Sequence, residues 1–288
     1  MTRPKDDEAG PAPVPLHVSM LPRLARQLAL QPRGPSEYSL SNLYLYRARH
    51  AYALHEDHTG DAIVGITYDG KRHALPLGSL TPDRALSLLA LADCIYPLDE
   101  EEAVALCAAA PLVMDFNSAD SDYLYEAGNL ARLKRAKKKR AQARAFECMA
   151  TPTIKPLDRD TIAEAEVVLQ GWLADVMRPP GATDVVECRE ALSLLTELKL
   201  SGLVVLAETA PVGLLIAGEG HDGERIIHFA KGRRQYAGVY PWMFSHFARQ
   251  RDAGRINFEQ DLGNAGLAQS KRAFAPAGQR HKFRVRLA

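Results

Sequence analysis

Residues 256–276 read I-N-F-E-Q-D-L-G-N-A-G-L-A-Q-S-K-R-A-F-A-P. Ile256 to Leu262 is expected to form a strand. Successive side chains of a strand point to opposite faces. Asn257, Glu259 and Asp261 would then share one face, and Phe258, Gln260 and Leu262 the other. Two carboxylates and an amide on one face are costly to bury without partners, while the second face can pack. Gly263 and Gly266 open a turn, and Leu267 to Phe274 reads as a short helix carrying Lys271. Strand, glycine turn and helix N-terminus form a platform for an anionic or polarised group. The plainer alternative is a surface strand with solvated charges. The local density of acids, amides and glycines favours a site.

Working outward, the chain of 288 residues fits one large domain or two of ordinary size. A hydrophobic fraction of 47% and a charged fraction of 25% suit a soluble globular protein. The net charge of +1 gives no global field for DNA or a membrane, so any phosphate partner needs a local basic patch. Cys94, Cys107, Cys148 and Cys188 are widely spaced, which argues against a zinc site or a disulfide framework and suits a reducing cytoplasm. The nine histidines do not cluster, so no metal is expected. The first residues carry acids and prolines where a signal peptide needs an apolar core, and no run approaches membrane-span length.

Residues 1–15 are read as a disordered tail, 16–150 as a first domain and 151–288 as a second, with the joint at Thr151-Pro152 and Lys155-Pro156. In the first domain, Leu16 to Leu30 is helical and Gln31 to Pro35 breaks it. Ala62 to Tyr68 and Lys71 to Leu77 flank Asp69-Gly70, a strong hairpin signal. A helix starts at Thr81-Pro82-Asp83. Strands are expected at Cys94 to Leu98 and Leu112 to Phe116. Asn129 to Glu147 reads as one basic helix with a thin apolar stripe of Leu130, Leu133, Ala136, Ala143 and Phe146. It is either a solvated face or a phosphate-binding face. No aromatics are interleaved, so it would hold backbone phosphates without stacking bases.

The second domain is clearer. Strand Thr153 to Leu157 is followed by helices Asp160 to Met177 and Cys188 to Leu198. A meander comes next: Leu203 to Glu208, Val212 to Glu219 after a turn at Ala210-Pro211, and Glu224 to Lys231. Helix Tyr240 to Gln250 precedes the opening stretch, and His281 to Leu287 is a last strand. That is the order of a GNAT acyltransferase domain, in which two central strands splay and admit the acyl donor. Here those strands would be Arg225 to Lys231 and Ile256 to Leu262. The fold expected is α+β, with tandem GNAT-like domains, each a mixed and mostly antiparallel sheet flanked by helices.

Three places resemble the soluble relatives of the phosphatidylglycerol lysyltransferase C-terminal domain. They are S-N-L-Y-L-Y-R from Ser41, D-Y-L-Y-E-A-G-N-L-A-R-L-K from Asp122, and H-F-A-K-G-R-R-Q-Y-A-G-V-Y from His228 with N-F-E-Q-D-L-G-N-A-G-L-A-Q-S-K from Asn257. The resemblance implies a tandem GNAT fold. It also implies transfer of an aminoacyl group from aminoacyl-tRNA, which membrane members pass to a lipid. Coenzyme A binders carry a Q/R-x-x-G-x-G/A loop. This chain has Gln235, Gly238 and then Tyr240, a side chain that would crowd a pyrophosphate.

The leading expectation is therefore an aminoacyl-tRNA-dependent acyltransferase acting on an amine or hydroxyl of a small molecule. The ester is already activated, so no cofactor is expected. Glu259 or Asp261 would accept the nucleophile's proton or hold a substrate ammonium, and Lys271 would neutralise negative charge. Lys134, Lys137, Lys138 and Arg140 would contact the tRNA acceptor stem. Tyr44, Arg47, Tyr125, Phe229, Lys231, Asn257, Gly263 and Asn264 are the expected substrate contacts, with the amides near Phe229 and Ala230 holding the oxyanion. An acyl-coenzyme A donor and a non-catalytic small-molecule or RNA-binding module are the alternatives.

Overall fold

Asp69-Gly70 makes the turn its sequence promises, and the order of elements around it follows. The computed structural model describes residues 12–30, 34–249 and 254–288. Along the chain these form β1 (Val14–Pro15), α1 (Leu21–Leu28), α2 (Leu40–Leu45), β2 (Ala53–His55), β3 (Ala62–Ile66), β4 (Arg72–Pro76), α3 (Pro82–Leu89), β5 (Cys94–Leu98), α4 (Glu100–Ala109) and β6 (Leu112–Phe116). Next come β7 (Asp122–Glu126), α5 (Ala127–Ala131), α6 (Lys137–Ala150), β8 (Pro152–Pro156), α7 (Ile162–Val176), α8 (Val185–Ser193), β9 (Ser201–Ala207) and β10 (Ala210–Glu219). The last are β11 (Arg225–Gly232), α9 (Val239–Arg249), β12 (Arg255–Asn257), α10 (Ala265–Arg272), β13 (Gly278–Arg280) and β14 (Phe283–Leu287).

The chain divides into two units, residues 1–117 with 281–288, and residues 118–280. The first holds the sheet β1-β2-β3-β4-β5-β14-β6, the second the sheet β13-β7-β12-β11-β10-β9-β8. Each has four antiparallel strands, one parallel junction (β4 with β5, β11 with β12) and two further antiparallel strands. Both units are thus GNAT-like, and the α+β expectation holds.

The boundaries differ from those read in sequence. The division falls after Asn117 and not after residue 150, because β7 pairs with β12 and β13 of the second sheet. The stretch D-Y-L-Y-E, which showed only as an acidic cluster, is therefore a central strand. In the other direction β14, expected in the second domain, pairs with β5 and β6 of the first sheet. The tail expectation covers residues 1–15, of which 1–11 lie outside the described residues. Val14–Pro15, inside that span, pairs with Leu54 and Ala53. The break expected at 31–35 lies mostly outside them too.

Local chemistry explains the elements. Thr81 accepts a hydrogen bond from the Arg84 amide and Pro82 opens α3, a favoured start for a helix. Asp99 caps α4 in the same way. In the first unit, Ile63 and Leu75 face Leu24, Leu28 and Leu43, while Ala74 and Ile95 face Leu88, Leu98 and Leu106. The sheet is covered on both sides, so its strands read as nearly continuous apolar runs.

The basic segment 129–147 is two helices and not one. Leu133 and Arg135 have positive φ (47° and 62°) and turn the chain between α5 and α6. The apolar stripe nevertheless packs: Leu130, Leu133, Ala136, Ala143 and Phe146 all join the core of the second unit, against Trp242, Met243 and Phe247 of α9. Phe146 is fully buried. Truncating such a ring costs about 4 kcal/mol. Gly238, at φ 107°, lies where a Cβ would meet the Gln142 carbonyl oxygen at 2.2 Å. Only glycine fits there, and its job is to let α6 approach the loop before α9.

Candidate active site

β11 and β12 run parallel for two residue pairs, Arg225 with Ile256 and Ile226 with Asn257, and then part. β11 continues to Gly232 in register with β10. The chain beyond Asn257 turns the other way and stays with β7. The Phe258 amide donates to the Tyr123 carbonyl (2.9 Å), Tyr123 donates to the Glu259 carbonyl (3.2 Å), and Leu262 donates to the Ala119 carbonyl (3.1 Å). The expected splay is present, and it is a fork with a bent arm.

The bend corrects the strand reading of 256–262. The strand ends at Asn257, Glu259 sits at φ 56°, and the alternation of faces stops there. Two side chains make the bend. Asn257 Oδ1 accepts the Glu259 amide at 2.6 Å, a local closure at which asparagine excels. Lys271 Nζ donates to the carbonyls of Phe258 (2.5 Å), Glu259 (3.1 Å) and Gln260 (2.6 Å). Three successive carbonyls converging on one ammonium are incompatible with a flat strand. Lys271, expected to meet a phosphate or a developing charge, is turned onto the backbone as a staple.

The polar groups then separate into three sets. Asn257, fully buried, donates from Nδ2 to Asp122 Oδ2 (3.1 Å) and Glu224 Oε1 (2.8 Å), and Arg280 makes two bonds to Glu224 (3.1 and 3.0 Å). Asp261 accepts the Tyr123 hydroxyl at 2.7 Å and the Gly263 amide at 2.9 Å. Burial, then the bond to Asp261, raises the Tyr123 phenol against the lowering pull of Arg272, so it stays a donor. Glu259 meets His228 across the fork, Oε1 to Nδ1 at 2.9 Å. Glu259 and Asp261 thus have different partners and do not form the paired face read from the sequence. The Glu259 side chain keeps 13% of its surface exposed and His228 none, so the carboxylate is the member that faces outward.

His228 lies within H-F-A-K and is not among the residues that the sequence singles out for the site. On β11 it sits at a bulge: Ile216 pairs with Phe229 and Ala217 with Ile227, so the register with β10 steps over His228. A bulge re-aims one side chain, here toward the bend. No alternation rule marks such a position. Its signal was the unusual polarity of R-I-I-H-F-A-K.

Farther along β11, Phe229 is buried, and the buried Lys231 ammonium binds both oxygens of Asp184 (2.6 and 2.8 Å) while lying 3.9 Å from the centre of the Trp172 ring. Asp184 and Trp172 carried no sequence signal. The Tyr240 hydroxyl accepts the Gly232 amide at 3.0 Å, and Asp175 takes the Arg233 side chain (3.0 Å) and the Arg234 amide (2.8 Å). The loop after β11 is thereby tied to the protein's own groups.

The other expected residues divide as follows. Gly263, at φ 73°, makes the turn, and Asn264 caps α10 through the Leu267 amide (3.0 Å). Tyr125 is a core residue: its hydroxyl donates to the Lys271 carbonyl at 2.8 Å and its ring packs on Phe258. Tyr44 and Arg47 belong to the first unit, where the guanidinium lies 3.7 Å from the Tyr44 ring centre and donates to the Tyr44 carbonyl (2.7 Å). Lys134, Lys137 and Lys138 are exposed and Arg140 is half-buried on α6 and the turn before it. Among the described residues no group of three or more His, Cys, Asp or Glu is placed to hold a metal, and no helix is long and apolar enough to cross a membrane.

The fold has solved counterparts. A conserved protein of unknown function from Bacteroides thetaiotaomicron VPI-5482 superposes with a TM-score of 0.84 at 19% identity, over 95% of this chain and 98% of that one. L-PGS from Bacillus licheniformis gives a TM-score of 0.64 at 16% identity, covering 97% and 94%. FemX gives 0.62 at 8% identity, covering 93% and 96%. At these identities the likeness is one of fold. No curated protein matches the chain by sequence. The family described as "Phosphatidylglycerol lysyltransferase, C-terminal" matches residues 28–286, and the chain belongs to that family.

Proposed function

We propose that this chain is an acyltransferase that moves an aminoacyl group from aminoacyl-tRNA to an amine or hydroxyl of a small molecule, with Glu259 as the proton acceptor. Family membership supports the acyl-transfer class. The observation that carries the finer reading is the fork, with Glu259 bridging its mouth to His228. The acceptor nitrogen or oxygen attacks the ester carbonyl carbon and the new bond forms. The bond to the ribose oxygen breaks, and the nucleophile's proton passes through Glu259 to that leaving oxygen. His228 holds the carboxylate in place. Amides of β11 beyond Ile226, where its pairing with β12 ends, would hold the oxyanion. The exposed lysines Lys134, Lys137 and Lys138 hold phosphates by charge.

The Tyr240 side chain supports a donor other than acyl-coenzyme A, because it stands where the pyrophosphate loop needs a small residue and is tied to the end of β11 through the Gly232 amide. A pool of radiolabelled aminoacyl-tRNAs tests the proposal. Label release that depends on a cell metabolite extract and is lost in Glu259→Gln is the expected result. No release above background, with coenzyme A raising the Tm of the protein, overturns it in favour of the coenzyme A donor. Ligand binding without turnover of either donor favours a non-catalytic module.

A further inference from the structure

A second concave site lies in the same unit, away from the fork residues, where α6 meets α9. It is a cavity of about 260 Å³ lined by Arg132, Arg140, Arg144 and Arg249, with Trp242 and one carboxylate, Glu147. Four guanidinium charges against one carboxylate leave a local excess of three positive charges. No ion pair among the described residues neutralises Arg132, Arg140 or Arg144. Arg249 is pinned at its base, where Nε donates to the Ala131 carbonyl (3.2 Å) beside the Ser245 hydroxyl (2.6 Å).

Trp242 adds an independent sign. Its side chain is 4% exposed, and its indole Nε1 is buried with no hydrogen-bond partner. Buried donors are paired with few exceptions, and each exception needs an explanation. The ring is fixed by stacking on His246, 3.8 Å between centres, and by the edge of Phe146. His246 Nδ1 is engaged with the Trp242 carbonyl at 2.9 Å. Guanidinium and indole are donors without acceptor capacity. Four guanidinium groups around one cavity, against the single Glu147 carboxylate, favour an anionic ligand rich in acceptor oxygens, and guanidinium forks match the oxygens of a phosphate. The volume holds a phosphate group together with part of the molecule it esterifies.

We propose that this α6–α9 cavity is an oxyanion site that seats a phosphate ester through Arg132, Arg140, Arg144 and Arg249 and the Trp242 indole N–H. The site goes beyond the transferase reading and stands without it. The sources of the group are a phosphate of an RNA chain, continuing the lysines of α6, or a small phosphorylated molecule.

The test follows the two indole ¹⁵N–¹H resonances, Trp172 and Trp242, of the full chain, assigned with Trp172→Phe. Inorganic phosphate is expected to shift the Trp242 resonance saturably and leave Trp172 in place. Arg140→Gln with Arg144→Gln is expected to weaken the apparent affinity by about tenfold or more, and an unmoved Trp172 resonance reports that the variant is folded. Trp242→Phe, which keeps the ring and removes the donor, gives a second measure by calorimetric titration of phosphate. No saturable shift, or a shift unchanged by the arginine substitutions, overturns the site. A short RNA hairpin that competes with phosphate identifies the nucleic-acid source, and adenosine 5′-monophosphate competing where the hairpin does not identifies a small ligand. Phosphate binding in a chain that releases no aminoacyl group keeps this site and removes the transferase reading.

Discussion

The two sheets share an order of strands but differ at the fork. In the first sheet the last parallel pair is Ala74 with Ile95; in the second it is Ile226 with Asn257. Two residues farther on, the first sheet has Pro76 and Pro97, where the second has His228 and Glu259. Proline has no N–H to offer, and Cys94 to Leu98 is buried throughout. At these two positions the first fork thus has prolines and no ionisable side chain. The other carries an imidazole, a carboxylate and a bent backbone. The same frame carries two prolines at this place in one unit and a candidate reaction centre in the other, and the difference lies in a few side chains and one bulge.

The largest effect is expected from Glu259→Gln, which should lower the transfer rate by about 10³-fold if Glu259 takes the proton. Pro76→Ala, at the matching place in the first sheet, should leave the rate within about twofold. Comparable losses from both would break the contrast. Next, Lys271→Met should destabilise the second unit by on the order of 4 kcal/mol in urea unfolding, because three carbonyls lose their donor. A stable variant that has lost transfer would return Lys271 to direct contact with the donor.

The first unit has its own titration. Burial pushes the His73 imidazole down to about 4, with Nδ1 held on the Tyr96 carbonyl at 2.9 Å and Nε2 buried without a partner. The unfolded chain binds this proton first, since its histidine titrates near 6.5. Stability is therefore complete above about pH 6.5 and falls as pH drops toward 4, by roughly 3 kcal/mol. His73→Phe should flatten that part of the stability curve, and an unchanged slope would contradict the assignment. The smallest effect concerns RNA. Lys134→Gln and Lys138→Gln should each reduce the slope of log K against log salt by roughly 0.7–0.9, with stability within about 0.5 kcal/mol of wild type. Arg26→Gln in the first unit should leave the slope unchanged.

Much of this was legible in the sequence where the signals are local. Asp69-Gly70 located the β3–β4 hairpin, and β5 and β6 lie where their apolar runs placed them. The tandem GNAT-like order was readable too. What escaped was long-range. β7 pairs with residues more than 120 positions later, and β14 returns to the first sheet, so neighbours in sequence misassigned both. Glu259 stood out as a residue type, but its geometry did not. The bend depends on Asn257 and Lys271, and the partner His228 is re-aimed by a bulge that follows from no periodicity.

The central claim is that the acyl donor enters the fork beside His228 and Glu259. Its most direct test is an NMR titration of ¹⁵N-histidine-labelled protein, which carries nine histidines, with amide-linked analogues of 3′-aminoacyl-adenosine. The account predicts a saturable shift of the His228 resonance, assigned with His228→Gln and weakened in Glu259→Gln, while His73 stays in place. Saturable binding that leaves His228 unmoved would contradict it.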